Sequence, residues 1–233
     1  MFKEIEPSGK GKNTNNLSEL AYQKLKNDIF DFKLMPGERF TESDIAKSYG
    51  VSRTPVRQAL YKLQQEGFVE VHFRYGWQVR SLNFRYYEEL YDIRILLEKE
   101  AIRRLCQQPS KESIELNQLK DLWLIEPKDY LTDIKILSEQ DEEFHCTLVR
   151  AAGNLEMGRV HQELSEKIRI IRRLDFSKKY RIEATYQEHQ NILKLIMSSQ
   201  LDSALEALET HIMQSRDEVK RITLQMIHAH QFR

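Results

Sequence analysis

The chain has 233 residues, enough for two domains, and 40% of them are hydrophobic, so a buried core is expected. Its 36 basic and 36 acidic residues cancel, so the overall charge indicates no partner and the distribution of charge matters instead. Two cysteines, a polar N-terminus and the lack of a long apolar run predict no disulfide framework, no signal peptide and no membrane-spanning helix. A cytoplasmic protein with a disordered tail over residues 1–16 is expected.

Residues 17–80 carry the turn signals of a small domain. Glycine and proline interrupt them in "LMPGE", "YGVSRTP", "EGF" and "RYGW", which separate three short helices and one hairpin. The first helix is predicted over Ser18–Phe32. The second is predicted to open at Thr41, with Asp44 completing a capping box, and to end at Gly50.

The third helix is predicted from about Arg53 to Gln65. Two alternating strands, "FVEVHF" and "GWQVR", follow it around a turn near Gly76. Helices and a hairpin in this order predict a winged helix-turn-helix domain.

Arg53 and Arg57 lie one turn apart at the start of the third helix, behind a capping Ser52, and no acid follows until Glu66. A helix N-terminus carries partial positive charge and free N–H groups that suit phosphate, and arginine is the usual bidentate reader of guanine. Over residues 52–80, five basic residues face two acidic ones. A solvated arginine face is the alternative interpretation, but the helices and wing around these arginines favour DNA binding.

From residue 83 onward, glycine and proline become rare and the pattern is that of long amphipathic helices. An all-α domain over residues 83–230, a six-helix bundle, is therefore predicted. The six helices are placed near 83–106, 111–124, 127–152, 155–176, 178–199 and 201–229.

Polar residues interrupt the inward stripes of three of these helices. Asp141 and His145 lie four residues apart on one face, and His189 and His211 occupy inward positions of later helices. Burying such groups without partners is costly, and a shared divalent ion such as Zn²⁺, Ni²⁺ or Mn²⁺ would satisfy all four. The alternative is that each histidine forms its own hydrogen bond in the core. The remaining histidines are predicted to be ordinary surface residues: His72, His161, His228 and His230.

Arg94 lies in an apolar stripe of the first long helix of this domain. A buried arginine needs a carboxylate, which either Glu98, one turn on, or an organic acid bound beside the metal would supply. The sequence leaves both sources open.

The run "MPGERFTESDIAKSYGVSRTPVRQALYKLQQEGFVEV", with "GWQV" after it, resembles the DNA-binding domain of the GntR family of transcription regulators. The segments "DEEFHCTLVRAAGN", "EHQNILKLI" and "ALETHI" resemble the FCD ligand-binding domain of its FadR-type subfamily, and six helices fit the VanR-like branch. The resemblance implies DNA contacts from Ser52, Arg53, Thr54 and Arg57, and from the wing at Arg74 and Gly76. It also implies a metal site formed by Asp141, His145, His189 and His211.

The function implied by this resemblance is regulation of transcription. The protein is expected to be a homodimeric repressor that binds a near-palindromic operator in double-stranded DNA and responds to a small carboxylate held by the metal and Arg94. It is not expected to be an enzyme. A metal-dependent hydrolase or lyase fused to a DNA-binding head is the rival interpretation, because three histidines and an aspartate could activate water. A third interpretation is that the helical domain serves only to form the dimer and binds no ligand.

Overall fold

The computed structural model describes residues 10–74, 76–108, 112–175 and 179–231. The chain divides into two compact units, Met1–Leu82 and Asn83–Arg233. Helices dominate both units and a small sheet lies in the first, which confirms the mostly α fold class. None of the described helices is long and apolar enough to cross a membrane.

The first unit has the elements of a winged helix-turn-helix domain. In chain order they are α1 (Lys10–Phe30), β1 (Arg39–Phe40), α2 (Glu42–Tyr49), α3 (Arg53–Gln65), β2 (Val69–His72) and β3 (Gly76–Val79). β3 pairs antiparallel with both other strands, so the sheet order is β1-β3-β2. The hairpin of β2 and β3 was predicted, whereas β1 was not, because two residues are too few to give an alternating pattern.

α1 begins earlier than predicted. Residues 10–16, assigned to the disordered tail from their polarity, belong to this helix, while residues 1–9 lie outside the described part of the chain. Polarity alone does not end a helix, and no glycine or proline occurs between Gly11 and Pro36. The helix ends at Phe30 rather than Phe32, which has a left-handed φ of 56°.

α2 and α3 follow the predicted local signals. The Thr41 hydroxyl accepts a bond from the backbone N–H of Asp44 at 3.2 Å, and the Thr41 N–H donates to the Asp44 carboxylate at 2.9 Å, so the capping box is complete. Gly50 ends α2 in the left-handed conformation with φ 67°. α3 packs against α1. Its buried face consists of Pro55, Val56, Ala59, Leu60 and Leu63.

The second unit contains, among its described residues, the six predicted α-helices. They are α4 (Phe84–Gln107), α5 (Ile114–Trp123), α6 (Ile134–Ala151), α7 (Leu155–Asp175), α8 (Lys179–Met197) and α9 (Leu201–Gln231). α6 packs against α4, α5 and α7. It begins at Ile134 rather than at 127, because Asp133 caps it by accepting the N–H groups of Lys135 and Ile136 at 2.9 and 3.0 Å.

Candidate metal centre and nucleic-acid interface

Three helices bring four potential metal ligands together inside the second unit. Asp141 and His145 come from α6, His189 from α8 and His211 from α9. All four are buried, and one ligand atom from each lies within 4.8 Å of the others. The Nε2 atom of His211 is 3.2 Å from that of His145 and 3.3 Å from that of His189. Oδ1 of Asp141 is 3.4 Å from His189 Nε2.

Carboxylates on the far side of two histidines fix how their rings are protonated. Nδ1 of His145 lies 2.6 Å from Oε2 of Glu98, and Nδ1 of His211 lies 2.6 Å from Oε2 of Glu188. An ionised carboxylate only accepts hydrogen bonds, so both Nδ1 atoms carry a proton, and in the neutral form that a metal ligand needs each ring presents the lone pair of Nε2. Two lone pairs 3.2 Å apart repel each other, and a shared cation removes this repulsion.

The charge state of His145 agrees with this arrangement. Burial lowers the pKa of His145 well below its ordinary value, and the nearby Arg94 guanidinium lowers it further, so the ring is neutral. Burial opposes the ionisation of Glu98, but its contacts with His145 and Arg94 outweigh this and hold the pKa of Glu98 well below 4.5. A neutral imidazole is the form that metal coordination requires of His145, and the ionised Glu98 accepts the hydrogen bond from its Nδ1.

Glu98 is the centre of a buried hydrogen-bond network, of which only the pairing with Arg94 was considered from the sequence. Arg94 donates from Nε to Oε1 of Glu98 at 2.7 Å, which is the internal pairing left open above. His161, predicted to lie on the surface, is fully buried on α7, and its Nε2 lies 2.9 Å from the same Oε1. The prediction for His161 was wrong because its partner is 63 residues away in the chain, on another helix. His72 is half-buried, and the side chains of His228 and His230 lie outside the described part.

Arg172 on α7 is a buried cation that the sequence analysis did not identify. Its side chain is 1% exposed, and Nε, Nη1 and Nη2 form no hydrogen bond with the described residues. Among the described residues, Arg172 forms long ion pairs with Oδ2 of Asp141 at 3.6 Å and Oε2 of Glu142 at 3.8 Å, both beyond hydrogen-bond distance. Glu142 is already paired with Arg169, whose Nε and Nη2 donate to it at 2.8 and 2.6 Å. A buried guanidinium with unused donors is costly, so this position is suited to an anion.

In the first unit, Arg53 and Arg57 are exposed at the N-terminus of α3, as predicted, but they are not unopposed. Both donate to Glu42, the first residue of α2. Arg57 reaches it from Nε at 2.9 Å and from Nη2 at 2.9 Å, and Arg53 from Nη2 at 3.2 Å. The hydrogen bonds from Arg57, and then those from Arg53, lower the pKa of Glu42. Glu42 was not identified from the sequence, because it lies in α2 and only the residues of α3 were considered.

The other predicted DNA contacts lie around the same helix end and in the wing. Ser52 is at the N-cap position of α3, but its side chain forms no capping hydrogen bond, so the predicted cap is wrong. Ser52 and Thr54 are both exposed. In the wing, Arg74 is exposed with a φ of 69°, and Gly76 has a φ of 84°. A Cβ atom on Gly76 would lie 2.7 Å from the carbonyl oxygen of Phe40, so only glycine fits there.

Known protein families match both units. Residues 17–79 match the model described as bacterial regulatory proteins, gntR family, and residues 89–214 match that of the FCD domain. The chain is 30% identical over 191 residues to the Nta operon transcriptional regulator of Aminobacter aminovorans, a similarity that covers 82% of this chain and 89% of that protein.

Solved structures share the fold. A GntR transcriptional regulator from Rhodococcus sp. RHA1 superposes with a TM-score of 0.67 at 19% identity and covers 88% of this chain and 97% of its own. A structure described as the metal-free FCD domain of the regulator TM0439 gives a TM-score of 0.50 at 19% identity, covering 62% of this chain and 99% of that one.

Proposed function

Since the chain belongs to the gntR family of bacterial transcription regulators and carries its FCD domain, we propose that this DNA-binding regulator is a homodimeric repressor that senses a small organic acid through a bound divalent metal. The winged helix is the DNA-binding head. The helical unit holds the metal and the acid. An acid changes DNA affinity only as far as it binds one arrangement of the dimer more tightly than the other.

The observation that carries the metal proposal is the convergence of Asp141, His145, His189 and His211, with two Nε2 lone pairs facing each other at 3.2 Å. Nitrogen and carboxylate donors of this kind suit Zn²⁺, Ni²⁺ or Mn²⁺. Glu98 and Glu188 orient two of the ligands, as carboxylates commonly do behind metal-binding histidines. When bound, the ion would supply a positive centre that attracts an oxygen of the acid.

The guanidinium of Arg172, which forms no hydrogen bond with the described residues, supports an acid as the sensed ligand. The Asp141 carboxylate presents Oδ1 to the histidines and Oδ2 to Arg172, so the guanidinium and the metal site lie on either side of one side chain. A carboxylate bound there would satisfy donors that the described residues leave without a hydrogen bond. Arg94, the residue predicted to hold the acid, supports His145 through Glu98 instead.

For the DNA, we assign base and phosphate contacts to Ser52, Arg53, Thr54 and Arg57 and a wing contact to Arg74 and Gly76. Two heads related by the symmetry of a dimer read two half-sites, so the operator is a near-palindrome.

Metal analysis after gentle purification, followed by thermal melts with and without a chelator, tests the proposal. A ligand that binds only the folded state at a hundred times its Kd adds about 2.7 kcal/mol of stability, so the chelator should lower the melting temperature of the helical unit. His189→Ala should lose the metal and the chelator effect, whereas His72→Ala, in the first unit, should keep both. Wild-type protein that contains no metal and does not respond to added Zn²⁺, Ni²⁺ or Mn²⁺ would contradict the proposal.

A further inference from the structure

We infer that Glu42 is a positioning residue of the DNA-binding head, which holds Arg57 and Arg53 for base recognition and weakens their attraction to DNA of any sequence. The inference rests on the proposed DNA contacts of these two arginines. It concerns discrimination between an operator and other DNA, which the contacts alone do not determine.

The Glu42 carboxylate holds both Arg53 and Arg57, and we call these three side chains the clamp. Its side chain is 14% exposed, whereas those of Arg53 and Arg57 are 60% and 50% exposed, so a largely buried acceptor holds two exposed donors. It follows the N-cap residue Thr41, whose capping box fixes the backbone at this point. The same three side chains line a recess together with Tyr61, Gly76 and Trp77. The clamp therefore lies at the concave surface between α2, α3 and the wing.

The hydrogen bonds to Glu42 use only part of the Arg57 guanidinium. Nε and one hydrogen of Nη2 are engaged, which leaves both hydrogens of Nη1 and the second hydrogen of Nη2. Bidentate recognition of guanine needs two parallel N–H groups. One edge of the fork can thus stay on Glu42 while the outer edge contacts a base, and the side chain loses less rotational freedom when DNA binds.

The charge of Glu42 acts in the opposite direction on phosphate. With the carboxylate, the cluster of Glu42, Arg53 and Arg57 carries one net positive charge, and without it two. Binding to arbitrary DNA depends on neutralised phosphates, and each contributes about −0.9 to the slope of log affinity against log salt. Glu42 therefore lowers affinity for all DNA while it improves the geometry for one sequence.

The experiment compares Glu42→Gln with wild type on two duplexes, one selected by the wild-type protein from a random library and one with the same bases scrambled. Binding is titrated at several salt concentrations. Glu42→Gln should bind the scrambled duplex several-fold more tightly, with a salt slope steeper by about 0.9. Discrimination between the duplexes should fall at least about fivefold, the lower end of what one arginine–guanine contact provides.

Two further variants separate charge from position. Glu42→Asp keeps the charge but shortens the reach, so it should leave scrambled-duplex affinity at the wild-type level and weaken binding to the selected duplex. Glu19→Gln removes a charge of the same sign from α1, where Glu19 contacts Lys62 at 3.2 Å, and should change discrimination little. Glu42→Asp that binds scrambled DNA as tightly as Glu42→Gln would overturn the role of the charge.

Arg57→Ala distinguishes failure of this inference from failure of the proposed function. If Arg57→Ala leaves affinity for the selected duplex intact, the assigned DNA contact itself is wrong. If Arg57→Ala weakens it while Glu42→Gln changes both duplexes by the same factor, the contact stands and the positioning role of Glu42 is wrong.

Discussion

Two arginine–carboxylate pairs, one in each unit, differ mainly in their exposure to water. In the head, the side chains of Arg57 and Glu42 are 50% and 14% exposed. In the helical unit, those of Arg94 and Glu98 are 1% and 0% exposed. Water screens the first pair, so Arg57 can shift slightly against Glu42 at small cost while its outer N–H groups stay available to DNA. The second pair cannot separate without leaving a buried charge, so it is a fixed support.

This difference decides which arginines are available to ligands. Glu98 uses Oε1 for Arg94 and His161 and Oε2 for His145, so any movement of Arg94 toward an acid would disturb a proposed metal ligand. Arg172 is equally buried but forms no hydrogen bond with the described residues. If the helical unit binds an acid as proposed, Arg172 is therefore better placed than Arg94 to hold it, and the proposed DNA contacts fall to the exposed arginines of the head.

The largest effect is expected where the buried pair is broken. Glu98→Ala leaves Arg94 buried without its carboxylate and removes the hydrogen-bond acceptor of His145 and His161. The free energy of unfolding of the helical unit should fall by about 3–5 kcal/mol. Urea denaturation followed by circular dichroism measures it.

Glu100→Ala is the matched control for this variant. Glu100 lies on the same helix two residues on, and its side chain is 42% exposed beside Arg104 at 2.9 Å. Its loss should change stability by less than about 0.5 kcal/mol. If the two variants were equally stable, exposure would not be what distinguishes the pairs.

An intermediate effect is expected at Glu188, which supports His211 as Glu98 supports His145 but is 23% exposed. Glu188→Gln removes the charge behind the proposed ligand and keeps the side-chain size. Metal affinity should fall about 10- to 100-fold, with little change in the stability of the metal-free protein. Competition with a chromophoric chelator measures the affinity. Glu183→Gln, on an exposed position of α8, should bind metal like wild type; equal losses in both variants would argue against an orienting role for Glu188.

The sequence predicted most of what depends on local signals. The six helices of the second unit follow from periodicity, and the bounds of α2 follow from Thr41, Asp44 and Gly50. The four candidate metal ligands stood out because polar residues occupied positions where an apolar stripe was expected. The structure brings all four together. Each of these features can be predicted from residues within one or two helical turns of one another in the sequence.

What the sequence did not predict depends on packing between elements. Glu42 is 11 and 15 residues from Arg53 and Arg57, across a turn, so a scan along α3 found no acid. Glu98 and His161 meet from α4 and α7. His161 precedes Leu164, Ile168 and Ile171 at helical spacing, all of them buried, and this spacing was the available signal. Arg172 lies on the same face of α7. It was not recognised as buried because several other basic residues surround it in the sequence.

The smallest effect is expected in the capping box of α2, because its residues Thr41 and Asp44 are both exposed to water. Thr41→Ala removes the side-chain bond to the Asp44 N–H and should lower the melting temperature of the head by about 5 °C, the usual size of an N-cap effect in a small domain. Ser43→Ala, on the exposed second position of the same helix, should have little effect; an equal loss there would show that the cap is not responsible.

The effect of Thr41→Ala should also depend on pH, in a direction fixed by Asp44. The side-chain and backbone bonds from Thr41 lower the pKa of Asp44 below its ordinary value of 3.8. A group whose pKa is lower in the folded state stabilises the fold above its unfolded pKa and loses that contribution as the pH falls through the folded one. The difference in melting temperature between wild type and Thr41→Ala should therefore be largest at neutral pH and should decrease as the pH falls below 3.8. A constant difference over this range would mean that the bond from the Thr41 hydroxyl to the Asp44 carboxylate contributes nothing, because the bond from the backbone N–H of residue 41 is present in both proteins.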